Sequence, residues 1–143
     1  MPLSPHFIIQ EFVPKAVYAA FGDSSLWFID SKLISVCELI RAHFDKPVTI
    51  NDWHKGGTYY ESGYRTPESP TGAKYSQHRF GRAADIKLEG LTSEEVYNEI
   101  LSNEALFLMA GLSAMENIAK TATWVHVDVR NNGKADKILI VNP

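Results

Sequence analysis

The sequence predicts an α+β fold in which N-terminal helices pack on a small, mainly antiparallel sheet. Three observations carry that expectation. An apolar stripe at helical spacing, Leu33, Val36, Cys37, Ile40 and Phe44, dominates the first third of the chain. Three β-rich stretches follow Gly111, the last two separated by Asn131-Asn132-Gly133, a strong turn signal. Helices gathered before the strands, rather than alternating with them, argue for α+β over a parallel α/β sheet.

In chain order, Glu11 to Phe21 reads as a short helix, with Pro14 tolerated in its first turn. Asp30 is an N-cap for a second helix, Ser31 to Phe44, which carries the apolar stripe. Pro47 stops it, and Val48 to Trp53 then reads as a strand. His54 to Gln77 is rich in Gly, Tyr, Ser, Thr and Pro, and an irregular stretch of that length is usually functional. Thr92-Ser93-Glu94-Glu95 is a capping box opening a helix to about Asn103, with Val96, Ile100 and Leu101 facing inward. The closing β-rich stretches are Ser113 to Ile118, Thr123 to Arg130 and Lys137 to Val141, the last two expected to form a hairpin.

The chain has 143 residues, enough for one domain over 1–143 with one real core. Its 45% hydrophobic and 22% charged residues exclude disorder and coiled coil. A net charge of −3 provides no general drive toward nucleic acid, so no nucleic-acid partner is expected. Cys37 is alone, which excludes an internal disulfide framework and a Cys-rich metal cage, and its place on the apolar stripe makes it a small buried hydrophobe. No apolar run approaches a membrane span, so no membrane insertion is expected. Met1 to His6 lacks the charged start and apolar stretch of a secretory signal. The expectation is therefore a monomer made in the cytoplasm, with delivery by other means if it acts outside.

Chemistry concentrates in Ser76-Gln77-His78-Arg79-Phe80-Gly81-Arg82-Ala83-Ala84-Asp85-Ile86. His78 and Asp85 lie seven apart with Gly81 between them, so a turn can bring both side chains to one point. Imidazole nitrogen and carboxylate oxygen are good zinc ligands, and a catalytic zinc takes three protein ligands and keeps one position open. His126, in Trp124-Val125-His126-Val127-Asp128-Val129-Arg130, is the best third candidate. On a strand Trp124, His126 and Asp128 share one face and the three valines the other, which suits the floor of an active site. His6, His43 and His54 offer no comparable spacing; His54 borders the Gly-rich loop.

Ser-x-His-x-x-Gly-x-Ala-x-Asp, preceded by Ser62-Gly63-Tyr64-Arg65 and followed by Trp-x-His-x-Asp, resembles the zinc D-Ala-D-Ala carboxypeptidases and phage L-alanyl-D-glutamate endopeptidases. These share the hedgehog/DD-peptidase fold. The resemblance runs from about Phe7 to Arg130 and is sharp at Ser62–Arg65, Ser76–Asp85 and Trp124–Asp128. It implies one zinc per chain, ligated by His78, Asp85 and His126, and a substrate drawn from peptidoglycan stem peptides. Arg65 would hold a substrate carboxylate or carbonyl, Ser76 would line the pocket, and Tyr64 and Trp124 would wall the cleft. Gly81 and Ala83 would leave room where the backbone passes the metal. Without a signal, a phage or prophage origin is implied by analogy, with the cell wall as site of action.

The sequence departs from the family at the general base. In many relatives an Asp or Glu stands three residues before the last histidine ligand; here Thr123 stands there. Glu116 and Asp128 are the substitutes. Glu116, in the preceding strand, ranks first as base, and Asp128 as the acceptor that orients a ligand imidazole. Two rival readings stay open: a catalytically silent zinc-binding domain used for binding or assembly, and a cytosolic D-Ala-D-Ala dipeptidase.

Overall fold

Pro14 divides the first helical stretch. In the computed structural model, which describes residues 2–134 and 136–143, the predicted helix from Glu11 to Phe21 is a 3-10 turn, Ile9–Glu11, followed by α1, Lys15–Phe21. Pro14 is the N-cap with extended backbone, not a first-turn residue. The ring of a proline disfavours helical backbone at the residue before it, so the two turns cannot merge through Val13. After a second 3-10 segment, Gly22–Phe28, α2 spans Ser31–Phe44 as expected, and the Asp30 carboxylate accepts from the Lys32 N–H. Leu33, Val36, Cys37 and Ile40 are fully buried, confirming the stripe.

The strand predicted from Val48 to Trp53 pairs only as β1, Val48–Thr49. Beyond it the backbone bonds to the N-terminal segment instead: the Asn51 N–H donates to the Glu11 carbonyl, and the Trp53 indole donates to Val13 at 2.8 Å. β2 is Ala83–Leu88, where Ala84, Ile86 and Leu88 alternate with Asp85 and Lys87, so the segment read for its ligands is also a strand. The capping box opens α3, Ser93–Ser102, with Thr92 and Glu95 bonded reciprocally. Directly after it comes α4, Glu104–Ala110, which buries only Phe107 and so shows no stripe. β3 is Ala114–Glu116, β4 is Val125–Asp128 and β5 is Leu139–Val141.

The five strands lie in the order β1-β2-β4-β3-β5. All pairs are antiparallel except β3 with β5. The expected β4–β5 hairpin is therefore corrected. The chain from Asn131 onward crosses β3 and returns alongside it in parallel, the Asn132 side chain donating to the carbonyls of Ser113 and Lys137. This is the hedgehog/DD-peptidase arrangement of helices on a mostly antiparallel sheet. One sheet face, with Ala84, Ile86, Val125 and Val127, joins the helices in the core. The other face is polar, and it carries the site.

Candidate metal centre and its cleft

Register builds the site. β2 and β4 pair Asp85 with His126 and Ala83 with Asp128, while β3 pairs Ala114 with Asp128 and Met115 with Val127. Extending the β3 register by one residue sets Glu116 opposite His126. Asp85, His126 and Glu116 thus form one row across three strands, on the face away from the core.

His78 reaches this row from the 3-10 turn Gln77–Phe80. The Ser76 hydroxyl caps that turn by accepting from the His78 N–H, and Gly81 closes it with left-handed backbone, φ 67°. A side chain at Gly81 would overlap the Phe28 carbonyl oxygen, so the glycine is required by the Phe28–Ile29 backbone and not, as expected, by room at the metal. His78 Nδ1 lies 2.8 Å from the Gly63 carbonyl, which can only accept, so Nδ1 carries the proton and Nε2 offers its lone pair to the site.

The donors converge. His78 Nε2 is 3.3 Å from Asp85 Oδ1, and His126 Nδ1 is 3.1 Å from the same oxygen. One ligand atom from each of the three residues lies within 4.8 Å of the others. Ligands about 2.1 Å from a tetrahedral zinc stand roughly 3.4 Å apart, so the set fits such an ion. Electrostatics agree. Burial disfavours a charged His126, yet its hydrogen bonds to Asp128 and Asp85, with Glu116 nearby, outweigh that and push its pKa up to about 9. Burial likewise opposes an ionised Asp85, but the hydrogen bond from His126 and the adjoining His78 imidazole hold its carboxyl well below the usual range. The carboxylates around the two imidazoles thus favour positive charge at this point.

Behind His126 stands Asp128, fully buried, its Oδ2 accepting from His126 Nε2 at 2.9 Å. Arg130 grips the same carboxylate through Nε at 2.8 Å and Nη2 at 2.6 Å. Burial would raise the Asp128 pKa, but the bonds from Arg130 and His126 lower it. Glu116 Oε1 stands 3.5 Å from His126 Nδ1, on the open side of the ring.

The donors open into a cleft of about 430 Å³ lined by Arg65, Ser76, Glu116, Trp124 and Arg130 among others. Arg65 is half-tethered, Nε donating to the Glu61 carbonyl and Nη2 lying 3.3 Å from Asp85 Oδ2. Tyr64 is displaced from its expected place: it stacks on Phe28 at 5.3 Å and is absent from the cleft lining. His54 packs on Trp53 and lines a separate cavity of about 540 Å³, whose lining holds no ligand triad.

The model of one family, Peptidase M15, matches residues 10–128. The chain belongs to the M15 peptidases. The match spans all three sharp motifs and every residue of the His-Asp-His cluster. M15 is a family of zinc-dependent peptidases of the peptidoglycan-acting kind, so a peptide is the substrate class and the cluster is where an M15 peptidase of this fold can hold its metal. No curated protein and no solved structure matches the chain.

Sequence reasoning gave no role to Glu61, Lys74 or Arg130. Lys74 and Arg130 line the cleft, and Glu61 ties down the loop beside it, accepting from Ser69 Oγ at 2.5 Å and Thr71 Oγ1 at 2.6 Å. Only the Asp128-x-Arg130 spacing was a usable signal, since residues two apart near a strand end share a face.

Proposed function

We propose that the chain is a zinc-dependent peptidase cleaving peptidoglycan stem peptides, with Glu116 as its proton-transfer group. One observation carries this reading. Glu116 supplies a carboxylate beside His126 and inside the cleft, which the position of Thr123 cannot. His78, Asp85 and His126 would hold one zinc. When bound, that ion supplies Lewis-acid polarisation and a more acidic water.

The remaining chemistry belongs to side chains. Glu116 takes a proton from the attacking water and returns it to the leaving amine. Asp128 keeps the His126 ring in one orientation and one tautomer, leaving Nδ1 as donor. Arg65, held by the Glu61 carbonyl and Asp85, positions the peptide and places guanidinium charge where an oxyanion develops. Ser76 and Trp124 shape the wall. The protein is proposed to act as a monomer on the cell wall, delivered by phage release or within a virion.

The test is turnover of zinc-loaded protein on intact sacculi, defined muropeptides and free D-Ala-D-Ala, with products identified by mass spectrometry. New amino termini from sacculi or muropeptides support the reading and name the bond. Cleavage of D-Ala-D-Ala alone would replace it with the dipeptidase, and no cleavage of any substrate with the silent binding domain.

A further inference from the structure

The charges around the cleft are paired off. Arg65, Lys74 and Arg130 line it with Asp85 and Glu116, and Asp128 stands buried behind Arg130 as its partner. Asp85 is engaged by both histidines and Arg65, and a dication at the triad would tip the balance toward positive. Such a cleft is complementary to an anionic substrate.

Arg130 is the cation best prepared to meet one. Its Nε and Nη2 form a two-pronged grip on Asp128, a carboxylate with no exposure, while its own side chain keeps 25% of its surface open. Among the described residues Nη1 has no acceptor. The grip already freezes the side chain, so engaging a ligand orders few further rotamers. Guanidinium geometry allows the free edge to bind a carboxylate while the other edge stays occupied.

We infer that Arg130 is a specificity-determining residue that pairs, through its free edge, with a carboxylate of the substrate next to the scissile bond. This rests on the peptidase reading above. Stem peptides offer two such groups, the α-carboxylate of the D-glutamate and the carboxylate of the C-terminal residue. The chemistry is the same for both, and the position of the cleaved bond decides which one reaches Arg130.

The test compares wild type, Arg130→Gln and Arg130→Lys, all zinc-loaded. The substrates are three synthetic stem peptides: one with both carboxylates free, one amidated at D-glutamate, one amidated at the C-terminus. Two quantities are read, kcat/KM and the equilibrium binding of the cleavage products by calorimetry. One amidation should cost wild type about 10–100-fold in both, the worth of a charge-assisted pair, and identify the carboxylate used. Arg130→Gln should lose the same factor on the free peptide and become indifferent to amidation, with Arg130→Lys intermediate. Damage to Asp128 or to the metal lowers all three substrates alike, so the ratio isolates recognition. An unchanged ratio in Arg130→Gln would leave Arg130 as a prop for Asp128 only and overturn the inference. Wild type indifferent to both amidations overturns it as well. If no peptide is cleaved the peptidase reading fails, while discrimination in product binding still supports the carboxylate site and its loss still overturns it.

Discussion

His126 divides its two nitrogens between tasks: Nε2 faces the buried Asp128, and Nδ1 faces the donor cluster and Glu116. His126→Ala should therefore lose most of the zinc from purified protein, measured by elemental analysis. Asp128→Asn should keep stoichiometric zinc at saturation but bind it about 10–100-fold more weakly, because the ring loses the carboxylate that orients it. Glu116→Gln makes the contrasting case. Its zinc affinity should stay near wild type while kcat falls by about 10²–10⁴, the usual worth of a general base. A loss of zinc in Glu116→Gln with activity retained in proportion to bound metal would make Glu116 a ligand instead. At this scale the triad was legible because each member sits in a short motif of distinctive residue types. The division of labour between Glu116 and Asp128 was legible only as a ranking. The distances that bear on it follow from the β3–β4 register, which no local pattern encodes. Tyr64 was misplaced for a related reason, since an aromatic beside a motif reads the same whether it faces a cleft or Phe28.

Among the elements, the loop between Arg65 and Ser76 lacks regular structure and is held by side chains. Arg79 donates to the carbonyls of Thr66, Pro67, Ser69 and Ala73, and Glu61 anchors Ser69 and Thr71. Burial alone would raise the Glu61 pKa, but the two hydroxyl bonds with Arg65 and Arg79 lower it. A carboxylate depressed on folding stabilises above its unfolded pKa, and the benefit disappears as pH falls through the folded value. Glu61→Gln should therefore speed proteolytic nicking of residues 66–76 several-fold at neutral pH, and the difference from wild type should shrink as pH falls below the ordinary carboxylate range and disappear once it passes the lowered Glu61 pKa. A difference that persists unchanged there would assign the anchoring to Arg79 alone. The elements themselves were unevenly legible. α2 and α3 announced themselves through caps and stripe or capping box. β2 did not, although Ala84, Ile86 and Leu88 alternate with Asp85 and Lys87, because the run is short and lies inside the segment that reads first as a ligand motif. The β4–β5 hairpin was wrongly expected because Asn131-Asn132-Gly133 does turn the chain, but toward a parallel partner.

Taken whole, the molecule assembles its donors from a 3-10 turn and two strands, with His126 forty-one residues beyond Asp85. The unfolded chain holds no such set, so metal affinity is linked to folding. Chelation should lower the melting temperature by about 10 °C if free zinc exceeds Kd roughly a thousandfold, read by calorimetry with and without a chelator. The same experiment on His126→Ala should show little shift. A wild-type melting point indifferent to chelation would mean that the cluster holds no metal of consequence.

The parallel pairing of β5 against β3 also bears on how copies of this chain avoid one another. The sheet ends in two short borders, β1 with two residues and β5 with three. Strand borders are templates for pairing with another chain, and brevity is one of the ways proteins blunt them. Without β5, the N–H of Asn117 and the carbonyl of Ser113, now bonded to Val141 and Leu139, would face solvent along the strand that bears Glu116. A chain ending at Ile138 keeps that buried residue but strips the border, and light scattering should find it self-associating at concentrations where the full chain does not. In that state the partner's strand would stand where β5 stands now, so one wall of the cleft, the one that holds Val141, would be lent by another chain.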